Sequence, residues 1–146
     1  MNKHNGTIKR WRVQIFAITW IAYAAFYFTR KAFSVAKLGI ADDPDFTLDK
    51  MAMANLDAIY LAAYAVGQFT WGIFADRFGP RVVVLGGLLI SAAAALVMGS
   101  FATLPVFATC MLIQGLAQST GWSGLCKNIG SFFATSERGR ILGLWS

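Results

Sequence analysis

The stretch YAAFYFTRK, residues 23–31, decides the fold, because two adjacent cations interrupt an apolar run long enough to cross a bilayer. The run begins at Val13 and resumes after Lys31 as far as Ala36. In hydrocarbon, a Lys or Arg costs about 2.5–3.5 kcal/mol on insertion scales, so such residues usually face a cavity or a partner. The stretch therefore predicts either a polar cavity beside a membrane helix or cations that anchor the helix end by snorkelling.

One helical face of this stretch carries its polar side chains. Tyr23, Tyr27, Arg30 and Ser34 recur at intervals of three and four residues, which is helical spacing. The planar fork of a guanidinium, next to two phenol hydroxyls, supplies the donors that a phosphate or carboxylate accepts. Lys31 points about 100° away from Arg30, as adjacent helix residues do. This face is a candidate anion-binding site.

The composition places the chain among membrane proteins. Hydrophobic residues make up 57% and charged residues 14%, about half the charged share of an ordinary soluble domain. The net charge of +6 does not indicate nucleic-acid binding, because the cations fall at the ends of apolar runs. Cys110 and Cys126 are read as packing residues, and the single histidine, His4, cannot build a metal site. We expect no metal, no cofactor and no enzymatic chemistry.

The apolar runs predict four membrane spans and the beginning of a fifth. The basic N-terminus resembles a secretory signal, but Arg30 and Lys31 precede the possible cleavage site, so residues 1–12 are interpreted as a tail outside the membrane. Because the chain ends one or two turns into the fifth run, we expect it to be a fragment. The spans cover about residues 13–36, 51–74, 82–99 and 106–133, with the fifth starting near 141.

The distribution of basic residues predicts the orientation. One side of the predicted spans holds nine cations, whereas the other holds Lys37 and Lys50 beside four aspartates, Asp43 among them. The positive-inside rule therefore places the N-terminus, Asp76 and Arg138 in the cytoplasm. The nine cations are Lys3, Lys9, Arg10, Arg12, Arg77, Arg81, Lys127, Arg138 and Arg140.

Polar stripes distinguish the spans from one another. The third span has only Ser91 among apolar residues, so it is predicted to face lipid, including Ala94 and Leu96. Spans one, two and four are then expected to face a wet cavity. The alternative is that the stripes form interhelical hydrogen bonds, worth about 0.6 kcal/mol each. The stripes consist of Asp57, Tyr60, Tyr64 and Gln68 in span two, and Gln114, Gln118 and Trp122 in span four.

The loop GIFADRFGPR, residues 72–81, resembles the cytoplasmic signature of the major facilitator superfamily, and residues 137–140 resemble its counterpart after span four. Gly72 is expected to let span two pack closely, and Asp76 to pair with arginines or cap the next helix. The resemblance implies an all-α membrane protein, with residues 13–146 as an incomplete N-terminal six-helix half of a twelve-helix transporter. The conformational motif would comprise Gly72, Asp76, Arg77, Gly79, Arg81, Glu137 and Arg138.

Within that superfamily, residues 23–31 and 115–122 resemble motifs of the organophosphate:phosphate antiporters. The resemblance implies that Arg30 binds phosphate directly. A lysine of the glycerol-phosphate branch is replaced here by Gln68. A second phosphate-binding arginine belongs to the family's C-terminal half, which lies beyond this sequence. The substrate-binding residues that the resemblance implies are Arg30, Lys31, Tyr23, Tyr27, Gln68, Trp122 and Gln118.

The resemblance implies exchange of a phosphorylated small metabolite, such as glycerol-3-phosphate or a sugar phosphate, for inorganic phosphate by alternating access. The partners would be these solutes and the lipid bilayer, in a multi-pass protein of the plasma (inner) membrane that is monomeric at full length. Two alternatives stay open. One is a sugar-phosphate receptor of the same family, and the other is a proton-coupled exporter in which Asp57 carries the proton.

Overall fold

The computed structural model describes residues 2–42 and 48–145, and this part of the chain is almost entirely helical, with no strand. The fold class predicted from the apolar runs, an all-α protein, is thereby confirmed. The helices are α1 Asn2–Asp42, α2 Lys50–Phe78, α3 Pro80–Ser100, α4 Leu104–Phe132 and α5 Thr135–Trp145.

The helices extend beyond the apolar runs that predicted them. Helix α1 starts at Asn2 instead of near Val13 and continues to Asp42, while α5 starts at Thr135 instead of near Ile141. Hydropathy detects only the apolar part of a helix, whereas Lys, Arg and Glu are good helix formers that continue it into polar surroundings. Asp49 occupies the N-cap position of α2 without a side-chain hydrogen bond.

Helix α4 is the centre of the bundle and packs along both α2 and α3. Small residues bring these backbones together. A Cβ atom at Gly115 would clash with the Tyr60 carbonyl of α2, and one at Gly87 would clash with Thr120 of α4. Small residues permit the close backbone approach on which van der Waals packing between membrane helices depends. The small residues of α4 therefore fix the distances between the helices that carry the predicted site.

Two of the described helices, α2 and α3, are long and apolar enough to cross a membrane, with mean hydropathies of 1.3 and 2.4. Helices α1 and α4 are also long, at 41 and 29 residues, and polar side chains interrupt their apolar runs. A polar stripe lowers the mean hydropathy of a helix whose other faces are apolar.

The prediction that α3 as a whole faces lipid is wrong. Ser91 is 0% exposed and Ala94 is 6% exposed, because this face packs inside the bundle, whereas Leu96 is 74% exposed. The hydroxyl of Ser91 lies 3.1 Å from that of Thr29 of α1. Apolar side chains suit both lipid and the bundle interior, so the lack of a polar stripe could not separate the two environments.

Candidate functional site

A cavity of about 400 Å³ lies between α1, α2 and α4, on the polar face predicted from residues 23–31. This volume falls in the range of about 300–1,000 Å³ typical of small-molecule sites. Its walls combine cations, one carboxylate, aromatic rings and an amide. The lining residues are Tyr27, Arg30, Lys31, Phe33 and Ser34 of α1, Asp57, Tyr60 and Leu61 of α2, and Met111 and Gln114 of α4.

Arg30 is half-buried and lies over aromatic rings. Its Cζ atom is 5.1 Å from the ring centroid of Tyr60 and 6.0 Å from that of Tyr27. Such cation–π contacts stabilise a guanidinium while leaving its in-plane N–H groups available. Within residues 2–42 and 48–145, no carboxylate pairs with Arg30. A half-buried guanidinium with unused donors is suited to an anionic ligand.

Lys31 lines the same cavity although its side chain is exposed. The side chains of Arg30 and Lys31 point about 100° apart around the helix. Both still reach the cavity because it is wide enough to contact two adjacent residues of α1. Arg30 and Lys31 together make this wall of the cavity positively charged.

The predicted tyrosines and Trp122 form an aromatic cluster on the other side of Arg30. The ring of Tyr23 lies 5.2 Å from that of Tyr27, 6.0 Å from that of Trp122 and 4.7 Å from that of Trp145. Trp145 is buried and donates its indole N–H to the Thr19 hydroxyl over 3.1 Å. Neither Trp122 nor Tyr23 lines the large cavity, but Tyr23 lines a smaller pocket together with Arg30, Tyr27 and Gln118.

Gln118 is buried at the centre of a hydrogen-bond network that joins four helices. Its Oε1 accepts the Tyr60 hydroxyl proton over 2.8 Å. Its Nε2 donates to Thr29 Oγ1 over 3.2 Å and to Ser91 Oγ over 3.1 Å. The alternative explanation of the polar stripes, that their side chains form hydrogen bonds between helices, therefore holds for Gln118. In this conformation the Gln118 amide is occupied by protein partners.

Gln68 lies apart from the cavity. It is half-buried on α2, one turn beyond Tyr64, and it does not belong to the cavity lining. The Tyr64 ring stacks on that of Tyr60 at 6.0 Å. Gln68 therefore does not form part of the cavity wall. It is linked to the region of Arg30 only through Tyr64 and Tyr60 of α2.

The cavity residues with polar side chains on α2 and α4 were missing from the predicted binding set, namely Asp57, Tyr60 and Gln114. All three belong to the polar stripes of spans two and four, so the periodicity contained the signal. The Asp57 carboxylate pairs with Lys37, whose ammonium also lies 5.0 Å from the Phe33 ring centroid. Lys37, expected to be a topology signal, is thus part of the boundary between α1 and α2.

The predicted conformational motif forms ion pairs and turns at the opposite end of the helices. Asp76 pairs with Lys127 of α4 and not with an arginine, and α3 has no side-chain cap. Gly79 joins α2 to α3 with a φ of 84°, a conformation that favours glycine. The expected close packing at Gly72 is absent from the described structure, since a Cβ there would meet no atom within 4 Å, whereas one at Gly67 would clash with Ser119.

The remaining motif residues connect α1 to the junction of α4 and α5. Arg12 approaches Glu137 at 3.6 Å and donates its Nε proton to the Phe132 carbonyl over 3.1 Å. Arg138 donates to the Phe133 carbonyl over 3.0 Å, whereas Arg77 lies 5.8 Å from the Phe78 ring centroid. Arg81 is exposed. Arg12, outside the predicted motif, is therefore one of its structural partners.

The apolar helices and the polar cavity define an α-helical membrane protein with a cationic internal site. The chain belongs to the Major Facilitator Superfamily, whose profile matches residues 19–146. It is accordingly part of a multi-pass membrane protein, as the signature at residues 72–81 indicated.

Curated relatives agree with the predicted resemblance to organophosphate:phosphate antiporters. The chain is 31% identical over 94% of its length to a probable hexose phosphate transport protein of Chlamydia muridarum. It is 29% identical over 92% of its length to human sugar phosphate exchanger 3, and 28% identical over 99% to putative glycerol-3-phosphate transporter 2 of Arabidopsis thaliana. The chain spans 30%, 33% and 32% of these relatives, respectively. No solved structure matches the chain significantly.

Proposed function

We propose that a full-length carrier containing this chain exchanges a phosphorylated small metabolite for inorganic phosphate by alternating access. The observation that carries the proposal is Arg30, a half-buried guanidinium in a cavity of about 400 Å³ with no carboxylate partner among the described residues. A bound phosphoryl group would supply the countercharge, so ligand binding would favour closure of the cavity. The names of the relatives, which include hexose phosphate transport proteins and sugar phosphate exchangers, support the same substrate class.

The position of each side chain suggests its role in binding the substrate. Arg30 binds the phosphoryl group through two parallel N–H groups, and Lys31 adds positive charge at the rim. Tyr27 and Tyr60 position the guanidinium through cation–π contacts. Tyr23, Trp122, Gln118 and Gln68 support this arrangement from outside the cavity. No covalent step is required for transport, so the protein is proposed to act as a carrier and not as an enzyme.

The ion pairs at the opposite end of the helices would serve the conformational change. Asp76 with Lys127, and Glu137 with Arg12, join helices that must move relative to the other half of a carrier. Alternating access in such transporters is largely a rigid-body movement of one half against the other around a midplane site. Because both pairs lie within this half, a rigid-body movement would leave them closed, and they would open only if a helix tilted within the half.

The proposed activity predicts phosphate-dependent uptake. Proteoliposomes containing the full-length carrier and loaded with inorganic phosphate are expected to accumulate radiolabelled glucose 6-phosphate or glycerol 3-phosphate, because the internal anion leaves in exchange. Matched vesicles without internal phosphate are the control and should take up little. Equal uptake in both preparations would contradict antiport, and binding without exchange would favour the receptor alternative. The exporter alternative gains no support from Asp57, because that carboxylate already pairs with Lys37.

We place the N-terminus in the cytoplasm of a monomeric plasma-membrane protein, with the loop between α1 and α2 outside. After Cys110 and Cys126 are changed to alanine, Asp49→Cys is expected to react with an impermeant maleimide in intact cells, because Asp49 is exposed at the start of α2. Arg140→Cys, also exposed, should react only after the cells are opened. The reverse labelling pattern would invert the proposed orientation.

A further inference from the structure

Gln114 carries a buried polar group that the bundle does not satisfy. The residue is 1% exposed, and its Nε2 atom has no hydrogen-bond partner among the described residues. Buried amide groups are nearly always hydrogen-bonded, so an unpaired one requires an explanation. Gln114 also lines the cavity that contains Arg30. Its unused donors are therefore at the wall of the proposed substrate site.

The antiparallel pairing of α1 and α4 fixes the height of Gln114 in the cavity. Gln118 is level with Thr29 because the two are hydrogen-bonded, and Tyr23 contacts Trp122 at the next turn. Gln114 precedes Gln118 by four residues, so it lies roughly 6 Å further along the cavity, away from the level of Thr29 and Arg30. A phosphoryl group held by Arg30 would leave Gln114 facing the next part of the ligand.

The cavity also contains an acceptor that suits hydroxyl groups. Asp57 lines the same cavity, one turn before Tyr60 on α2, and Lys37 neutralises its charge. The amide nitrogen of Gln114 is a donor and the Asp57 carboxylate is an acceptor. A hydroxyl both donates and accepts, whereas a phosphoryl group at pH 7 mainly accepts and has no proton to donate to the carboxylate.

We infer that Gln114 Nε2 binds a hydroxyl or carbonyl oxygen of the organic part of the substrate, and that it thereby distinguishes a phosphorylated polyol from inorganic phosphate. The inference rests on the proposed function and adds to it a residue that selects the metabolite. Arg30 recognises the group that both exchanged solutes share, and Gln114 recognises atoms that only one of them has. The glutamine is left unpaired by the protein because the ligand completes its hydrogen bonds.

The test is Gln114→Met in the full-length carrier, because methionine has a similar length and lacks the N–H donors. Binding of glucose 6-phosphate is expected to weaken about fivefold, the effect of one lost hydrogen bond. Binding of inorganic phosphate should change less than about twofold, since it does not reach Gln114. Leu112→Met, on a half-exposed position of the same helix outside the cavity, is the matched control and should alter neither affinity.

Each possible outcome of the Gln114→Met experiment supports or contradicts a specific statement. Equal weakening for both solutes would assign Gln114 to the phosphoryl group or to the structure and would overturn the inference, as would unchanged binding of both. A loss of thermal stability in the ligand-free variant would also count against it, because removing an unsatisfied donor should leave that stability unchanged or higher. Failure of the unsubstituted carrier to bind either solute would instead overturn the proposed function, and the inference with it.

Discussion

In a full-length carrier containing this chain, Arg30→Lys is expected to lower the affinity for a phosphate ester by at least about tenfold, or roughly 1.4 kcal/mol. Lysine keeps the positive charge and the ability to snorkel, but it loses the planar fork that binds two phosphate oxygens at once. It also loses the cation–π contacts of the guanidinium with the rings of Tyr27 and Tyr60. The measurement is equilibrium binding of radiolabelled glucose 6-phosphate to purified protein.

The matched control for this prediction is Arg10→Lys, the same chemical change at an exposed position on α1. Its ligand affinity should equal that of the unsubstituted carrier. Lys37 is unsuitable as a control because it pairs with Asp57 at the cavity wall. If Arg30→Lys bound the ester with normal affinity, Arg30 would be a helix anchor and the proposed site would be withdrawn.

The second large effect is on stability. Gly115→Val is expected to lower the free energy of unfolding by about 2–3 kcal/mol, because overpacking a close contact forces backbone shifts. The first added carbon would meet the Tyr60 carbonyl, the Ala63 side chain and the Tyr64 amide of α2. Two of these three are backbone atoms, so no side-chain rotation can relieve the contact. Thermal unfolding in detergent, followed by loss of the monodisperse protein, provides the measurement.

Gly86→Val is the matched control for Gly115→Val. Gly86 is also a helical glycine, but a Cβ at this position would meet no atom within 4 Å. Intrinsic helix propensity favours valine over glycine by a few tenths of a kcal/mol, so the control should be neutral or slightly more stable. Equal losses in the two variants would show that glycine itself, and not the approach of α2 to α4, is required.

Much of the fold could be predicted because the lengths of the apolar runs and the positions of the charged residues can be read directly from the sequence. The sequence indicated the helices, although α2 continues beyond its predicted end near residue 74 to Phe78. It could not indicate that Ala94 is buried while Leu96 is exposed, because both residues are compatible with lipid and with a packed interior. The start of α1 at Asn2 was also missed, since polar residues can continue a helix without leaving a hydropathy signal.

The sequence predicted which helix faces would form the candidate site. It did not predict which of their polar side chains would form hydrogen bonds within the protein. Helical spacing identified Tyr27 and Arg30 as neighbours, and both line the cavity. Periodicity also identified the stripes of α2 and α4, but it could not say which members would find protein partners. Gln114 and Gln118 have the same spacing and chemistry, yet Gln118 is fully engaged and the Gln114 amide nitrogen is not. That difference depends on Thr29, Ser91 and Tyr60, which tertiary packing alone brings together.

Because α1 is a single continuous helix, a small tilt at one end produces a larger displacement at the other end. Arg30 at the cavity and Arg12 at the α4–α5 junction belong to one unbroken helix, and about 27 Å of helix separates them. If α1 tilted by about 10° around Arg30, Arg12 would move by about 5 Å, given that length. Arg12 lies 3.6 Å from Glu137, so a displacement of that size would part the two charges. A small adjustment of the helix around a ligand would in this way become a larger movement at the far end, where it would separate Arg12 from Glu137.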